Sequence, residues 1–189
     1  MRLNHFAIAI LLVLILVAQS SAADTTAPVD LRQLKRDINV FSGVLDTTMR
    51  ESVTEPFGLL EATKGAYLPG FGLVFNLELN LVQLRQRTLF DVRPLTKQEL
   101  DQAFKQKKER IAHLEESLPR VLADYGSNIE LPPSDRLAVV VYLFKYPEED
   151  PEAFPSRLVA QASRQDLLDF KSGKLAYSDF AKRVEIVKF

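Results

Sequence analysis

The chain contains no cysteine, which excludes disulfide bonds and thiolate catalysis. Histidine is almost as scarce, because His5 and His113 are the only two in 189 residues. Catalytic zinc usually takes several nitrogen or sulfur ligands, and a serine nucleophile needs an adjacent base. The sequence also has no G-x-S-x-G or S-x-x-K motif. These shortages argue against a zinc enzyme and against a serine or cysteine hydrolase, and we expect no cofactor.

Neither sign of charge predominates in this chain. The 24 basic and 25 acidic residues give a formal net charge of −1. Proteins that bind nucleic acid neutralise its phosphates with an excess of lysine and arginine. We therefore expect no nucleic-acid partner.

Long apolar runs are missing as well, except at the N-terminus. Phe6–Ala18 is an uncharged run of thirteen residues that follows Arg2 and precedes several small residues. This pattern is typical of a secretory signal peptide. The alternative is an uncleaved membrane anchor, but a helix needs about 20 apolar residues to span a bilayer. We predict a signal peptide, residues 1–22, cleaved after Ala22 or Ala23, and no transmembrane segment in the mature chain.

The remaining chain, residues 23–189, predicts a single exported domain. Cleavage removes Arg2 and no acidic residue, so the net charge changes from −1 to −2. A chain of this length buries about 70% of its unfolded surface, which suffices for one core. Exported eukaryotic domains often carry disulfides and N-x-S/T acceptor sites, and neither occurs here. We therefore expect a bacterial periplasmic or extracellular location.

Two stretches repeat apolar residues at helical spacing. The first starts at Asp30, a good N-cap, and carries the stripe Leu31, Leu34, Ile38, Phe41 and Leu45. The second starts with Thr96 and Glu99, which form the pattern of a capping box. Its stripe comprises Leu100, Phe104, Ile111, Leu114, Leu118, Val121 and Tyr125. Pro119 predicts a kink or a new start in this helix, and Gly126 predicts its end. Lys107 interrupts this stripe, and we expect its ammonium group at a solvent-accessible edge.

Alternation and turn residues predict the strands. Pro69-Gly70 has the composition of a type II turn between a strand at 59–68 and an alternating stretch at 73–82. Gly72, just after the turn, is a natural bulge position. Further strands are predicted at 137–144, 157–162 and 184–189, and short helices at 166–170 and 178–183. The predicted fold is a single α+β domain, with a mostly antiparallel sheet of about five strands and two long amphipathic helices on one face.

The glycine-rich stretch from Gly65 to Gly72 does not fit a phosphate-binding loop. Gly65 and Gly70 have the Walker A spacing, but Phe71-Gly72 follows where lysine and serine or threonine are required. A G-x-G-x-x-G motif fails as well, because Phe75 takes the place of its last glycine. The glycines are therefore expected to serve a hairpin.

Three groups of residues are candidates for a binding site. Glu109, His113 and Glu116 share a helix face and are the weak candidates for a metal site, with a solvated helix surface as the alternative. Glu148, Glu149 and Asp150 form an acidic cluster in a proline-rich loop, which suits a calcium ligand set or a partner contact, or is a solvated loop. The cluster lacks the D-x-D-x-D-G order of a calcium loop. Asn76, Glu78 and Asn80 alternate along a strand, as a ligand patch or as the wet side of a sheet.

The sequence favours a non-catalytic, exported module that binds a partner protein or an envelope component. The alternative is a metal- or carboxylate-dependent hydrolase that acts on envelope material, because any two acidic residues can serve as acid and base. The two helical stripes have heptad spacing and either pack within the chain or pair between chains. We expect the first arrangement, and so a monomer or a weak homodimer.

Overall fold

The computed structural model describes residues 30–51, 58–85, 93–150 and 152–189. The predicted signal peptide and its cleavage site lie outside these residues. Within the four ranges, no helix is both long enough and apolar enough to cross a membrane.

The described residues form four α-helices and five strands. The helices are α1 (Leu31–Glu51), α2 (Lys97–Val121), α3 (Arg164–Lys171) and α4 (Tyr177–Arg183), and a short π-helical segment, Leu122–Gly126, continues α2. The strands are β1 (Gly58–Leu68), β2 (Gly72–Asn80), β3 (Arg136–Leu143), β4 (Arg157–Ser163) and β5 (Glu185–Lys188). The strands form one sheet in the order β1-β2-β3-β4-β5.

The sheet is mostly antiparallel, as predicted. Only β2 and β3 run parallel, in a register that starts with Gly72 opposite Arg136 and ends with Leu79 opposite Leu143. A parallel pair needs a long connection, and α2 supplies it. The other three pairings are antiparallel.

Both long helices begin where local signals in the sequence predicted. A carboxylate oxygen of Asp30 accepts hydrogen bonds from the backbone N–H groups of Arg32, at 2.8 Å, and Gln33, at 3.3 Å. At α2 the Thr96 hydroxyl accepts from the Glu99 N–H at 3.2 Å, and the Glu99 carboxylate accepts from the Thr96 N–H at 2.7 Å. These bonds satisfy N–H groups that the first turn of a helix leaves unpaired.

The turn between β1 and β2 has the predicted geometry. The Phe71 N–H donates to the Leu68 carbonyl at 3.0 Å, and Gly70 has a φ of 80°. The bulge predicted at Gly72 is wrong, because the irregular register lies within β1, between Leu59 and Lys64. Gly72 is instead needed for close packing: with a φ of 123°, a Cβ there would lie 2.1 Å from the Arg136 carbonyl oxygen.

All the described helices pack on one face of the sheet, which gives a two-layer molecule. The core joins helix side chains to strand side chains of this inner face only, including Phe41, Leu45, Leu114, Leu118, Phe75, Leu77, Val139 and Ala160. Most of both heptad stripes is thus buried within the chain, although Leu31, at the start of α1, is 70% exposed. In α2, Ile111, Leu114 and Leu118 are buried as predicted, whereas Leu100 and Phe104 are only half-buried.

Lys107 does not lie at the solvent-accessible edge that its place in the stripe predicted. The residue is 1% exposed, and its ammonium group pairs with Glu149. The long apolar stem lies in the stripe as expected, but a carboxylate 42 residues further along the chain replaces water at its end.

Candidate functional site

The second face of the sheet carries no helix from the described parts of the chain, and we call it the open face. Side chains that alternate with the core residues form it: Glu61, Lys64, Ala66, Leu68, Val74, Asn76, Glu78, Ala138, Val140, Tyr142, Arg157, Val159, Gln161, Glu185 and Val187. Because directly paired residues point to the same side of a sheet, the strand register arranges these side chains in rows across the strands.

The middle of the open face is apolar. One row runs from Asn76 on β2 through Val140 and Val159 to Val187 on β5. These three valines are only half-buried, because the side chains that cover them are their neighbours on the sheet. Val74 widens the apolar area in the adjacent row, where its neighbour Ala138 on β3 is buried.

Large exposed apolar side chains lie around the same face. Among the described residues, seven large hydrophobic side chains are exposed, and four of them belong to the open face or its edge: Leu60 at 48%, Leu68 at 47%, Tyr142 at 43% and Phe189 at 55%. The Arg157 guanidinium lies 4.3 Å from the centre of the Phe189 ring, a cation–π contact that orients this arginine.

Two of the three predicted strand residues have free polar groups. The side chains of Asn76 and Glu78 make no hydrogen bond or ion pair with any described residue, and both are half-buried. Asn80 is engaged: its amide donates to the Tyr146 hydroxyl at 2.8 Å, and its oxygen accepts from the Val82 N–H at 3.3 Å. The open face thus offers one amide and one carboxylate beside an apolar centre.

The three residues of the predicted acidic cluster do not share one environment in the structure. Glu148 and Asp150 are exposed, whereas Glu149 is buried and accepts hydrogen bonds from Lys107 Nζ at 2.7 and 2.6 Å. Lys107 also donates to the Phe144 carbonyl at 2.8 Å, and the Tyr146 N–H donates to Glu149 at 3.2 Å. These bonds leave Glu149 occupied by the fold, so the three acidic side chains do not form one ligand set.

Aromatic rings enclose the buried ion pair. Lys107 Nζ lies 5.2 Å from the centre of the Phe154 ring, which in turn meets Phe104 edge-on at 5.9 Å. Low polarity strengthens the attraction between the two charges and makes the loss of either one costly. The pair fastens the loop between β3 and β4 to α2. Sequence reasoning missed it, because no local pattern links positions 107 and 149.

The residues predicted as weak metal candidates do not come together with other ligands. Glu109, His113 and Glu116 are exposed on α2. Across the described ranges, no group of three or more histidine, cysteine, aspartate or glutamate side chains is placed to hold a metal ion.

A second buried polar cluster lies where β3 begins. Asp135 is 5% exposed, and its Oδ2 atom has no hydrogen-bond partner among the described residues. Burial and a hydrogen bond to Asp135 raise the pKa of Tyr67. Arg164 is 6% exposed and donates to the Ser127 carbonyl at 3.0 Å, and its burial lowers the pKa of its guanidinium. These groups join the start of β3 to the start of α3.

Comparison with known proteins adds no assignment to this geometry. No family model matches the chain, and no curated protein or solved structure is significantly similar to it.

Proposed function

We propose that this protein is an exported, non-catalytic module that binds a partner protein or an envelope component through its open face. The observation that carries the proposal is the one-sided packing of the sheet. Its inner face is covered by helices, and its outer face combines half-buried valines with the free polar groups of Asn76 and Glu78.

The composition of the open face supports binding. Contiguous exposed apolar surface on a soluble protein marks interaction sites, and a few polar groups beside it fix the orientation of the partner. The valines around Val140 provide the apolar area, and Tyr142 is an aromatic side chain of the type enriched in interfaces.

Export is the second part of the proposal, and its support is the sequence of residues 1–22. N-terminal sequencing of the protein from its native source tests it. We expect the mature chain to begin at Ala23 or Asp24. A membrane-bound protein that still begins with Met1 would refute the cleavage and favour the anchor.

Site-specific photo-crosslinking tests the binding surface. A benzoylphenylalanine residue replaces Asn76 on the open face in one variant and His113 on the exposed side of α2 in the control, and cells of the native source are irradiated. We expect a crosslinked product from position 76 and none from position 113. Equal products from the two positions, or a product from position 113 alone, would show that the open face is not the binding surface.

A further inference from the structure

Two opposite charges of the open face lie symmetrically about β3. One row places Glu78 on β2, Tyr142 on β3 and Arg157 on β4, each directly opposite the next. Glu61 on β1 extends this row beyond Glu78, and its carboxylate is paired with Lys64 at 3.1 Å. The carboxylate of Glu78 has no partner among the described residues, and the guanidinium of Arg157 is held against the Phe189 ring. One acidic and one basic group thus flank a central aromatic side chain.

We infer that the open face binds the open face of a second copy of this chain, about a two-fold axis parallel to the strands above β3. This inference rests on the proposed role of the open face as a docking surface. Rotation about that axis places β2 of one copy over β4 of the other and β3 over β3. Glu78 then faces Arg157 of the second copy, and the same pair forms again on the other side of the axis.

The apolar residues agree with the same axis. Val140 and Tyr142 lie on β3, so each meets its own counterpart on the axis. Two sheets packed face to face in this way have strands aligned within about 30° of each other. The interface then has an apolar centre between two charge pairs.

The other two-fold axis in this plane, perpendicular to the strands, fits less well. It places each strand over its own copy in the reverse direction. If this axis runs above the row that contains Asn76 and Val140, Glu78 faces Val74 of the second copy. A carboxylate that loses water without gaining a partner is costly, so charge complementarity selects the axis parallel to the strands.

The size of the face predicts a weak dimer. Five strands spaced about 4.8 Å apart, each about eight residues long at about 3.3 Å per residue, cover roughly 600 Å². Two such faces bury about 1,200 Å², at the lower end of specific interfaces. At one end of β3, Arg136 faces Arg136 of the second copy. Solvent weakens the repulsion between these two charges, and the part that remains limits the affinity further. The helical stripes offer no alternative dimer, because Ile111 and Leu118 are already buried in the core.

Sedimentation velocity with two charge-reversal variants tests the inference. Wild-type mature protein is expected to dimerise reversibly below about 200 µM, as a small interface allows. Glu78→Arg places two arginines opposite each other, and Arg157→Glu places two glutamates opposite each other. Each variant alone is expected to dimerise at least about tenfold more weakly. An equimolar mixture restores both pairs, because the two arginines at positions 78 and 157 of one variant face the two glutamates at positions 157 and 78 of the other.

Restored dimerisation in the mixture also shows that both variants are folded. The matched control reverses the exposed Lys188–Glu115 ion pair, which joins β5 to α2 at 3.2 Å, away from the open face. Glu115→Lys and Lys188→Glu are expected to leave dimerisation unchanged.

Three outcomes would overturn the inference. Dimerisation that persists in both single variants, or a mixture no stronger than the variants alone, excludes this two-fold axis. A wild-type monomer at about 200 µM excludes the dimer itself. If the monomer still yields a crosslinked envelope component from position 76, the proposed function stands and only the second copy is wrong. If position 76 yields nothing, both fail.

Discussion

The ammonium group of Lys107 controls the position of a whole loop. It donates to Glu149 and to the Phe144 carbonyl, and Glu149 in turn accepts from the Tyr146 N–H. A buried ion pair is seldom more stabilising than well-packed apolar side chains of similar volume, because both charges lose their water. Substitution of only one residue of the pair is costly, because the remaining buried charge has neither water nor a partner.

A double-mutant cycle at this pair tests that asymmetry. Lys107→Met and Glu149→Met are each expected to lower the free energy of unfolding by about 3–5 kcal/mol. Lys107→Met combined with Glu149→Met is expected to recover most of the loss, because no unpaired charge remains. Urea unfolding followed by circular dichroism measures all the variants.

The control for this cycle is the exposed pair formed by Lys182 and Asp179, at 3.1 Å. Lys182→Met is expected to change stability by less than about 1 kcal/mol, as is usual for surface ion pairs. Losses below that size at Lys107 and Glu149 would mean that water reaches the buried pair.

Two glycines of the first hairpin separate backbone strain from close packing. Gly70 has a φ of 80°, and a Cβ added there would meet no atom within 4 Å, so Gly70→Ala is expected to cost only about 1–2 kcal/mol of strain. At Gly72 the added Cβ would also collide with the Arg136 backbone, and Gly72→Ala is expected to cost more than about 3 kcal/mol. Thermal melts of the two variants measure the difference, and equal losses would contradict the close approach of β3.

The residues that the sequence predicted well are those whose partners are close in the chain. The carboxylate of Asp30 accepts hydrogen bonds from backbone N–H groups two and three residues further along the chain, and the positive φ of Gly70 is set by the turn that contains it. The burial of Lys107 and the role of Gly72 depend on Glu149 and Arg136, which are distant in sequence. No spacing rule identifies such partners, so their contacts were not predictable.

At the scale of one element, α2 is fixed at its start by a charged capping box. The Glu99 carboxylate accepts from the Thr96 N–H and hydroxyl and pairs with Arg85 at 3.1 Å. The backbone hydrogen bond from Thr96, followed by the bond from Arg85, lowers the pKa of Glu99 from 4.5 to about 2. The folded state therefore favours the ionised carboxylate.

This shift predicts how the cap responds to acid. A carboxyl group with a lowered pKa in the folded state stabilises the fold above its ordinary value of 4.5, and the contribution disappears as the pH falls towards 2. Glu99→Gln keeps the shape of the cap without the charge. We expect wild type to exceed this variant in unfolding free energy at pH 6, and the difference to shrink between pH 4.5 and pH 2.

Urea unfolding across this pH range provides the measurement. Glu116→Gln, at an exposed glutamate of the same helix, is the control for the loss of one negative charge. A difference between wild type and Glu99→Gln that stays constant down to pH 2 would contradict the lowered pKa.

The end of α2 shows where reasoning from local patterns fails. Pro119 predicted a kink or a new start, but the α-helix continues to Val121 and widens into the π-helical segment Leu122–Gly126. Gly126 ends the segment as predicted, and a Cβ there would lie 2.5 Å from a side-chain carbon of Leu137. This close approach to β3 is a contact that the sequence of α2 alone does not contain.

At the scale of the whole molecule, periodicity was enough to predict the layers. Strict alternation in β2 and two helical stripes predicted a sheet with helices on one face. The parallel pairing of β2 with β3 was not predicted, because both strands are apolar enough to pair in either direction. The order of strands in a sheet is decided by contacts that cross the whole chain.

The topology predicts which backbone groups exchange their hydrogens most slowly. β2 and β3 are central and have partners on both sides, whereas β1 is an edge strand with irregular register between Leu59 and Lys64. Native-state hydrogen exchange is expected to show the slowest amides in residues 73–79 and 137–143, and faster exchange in residues 59–64. Equal protection in β1 would indicate that another chain or segment covers that edge.

The parallel pairing also determines the order in which the molecule can be completed. A chain that emerges with its N-terminus first, from a ribosome or from a secretion channel, releases β2 before more than fifty further residues bring β3 to its side. During that interval one edge of β2 has no partner strand, and its unpaired backbone N–H and C=O groups can pair with a wrong strand. The capped and highly charged α2 fills the interval, and a helix forms locally without waiting for distant contacts. Early helix formation would shorten the span between the two strands and bring the missing neighbour within reach.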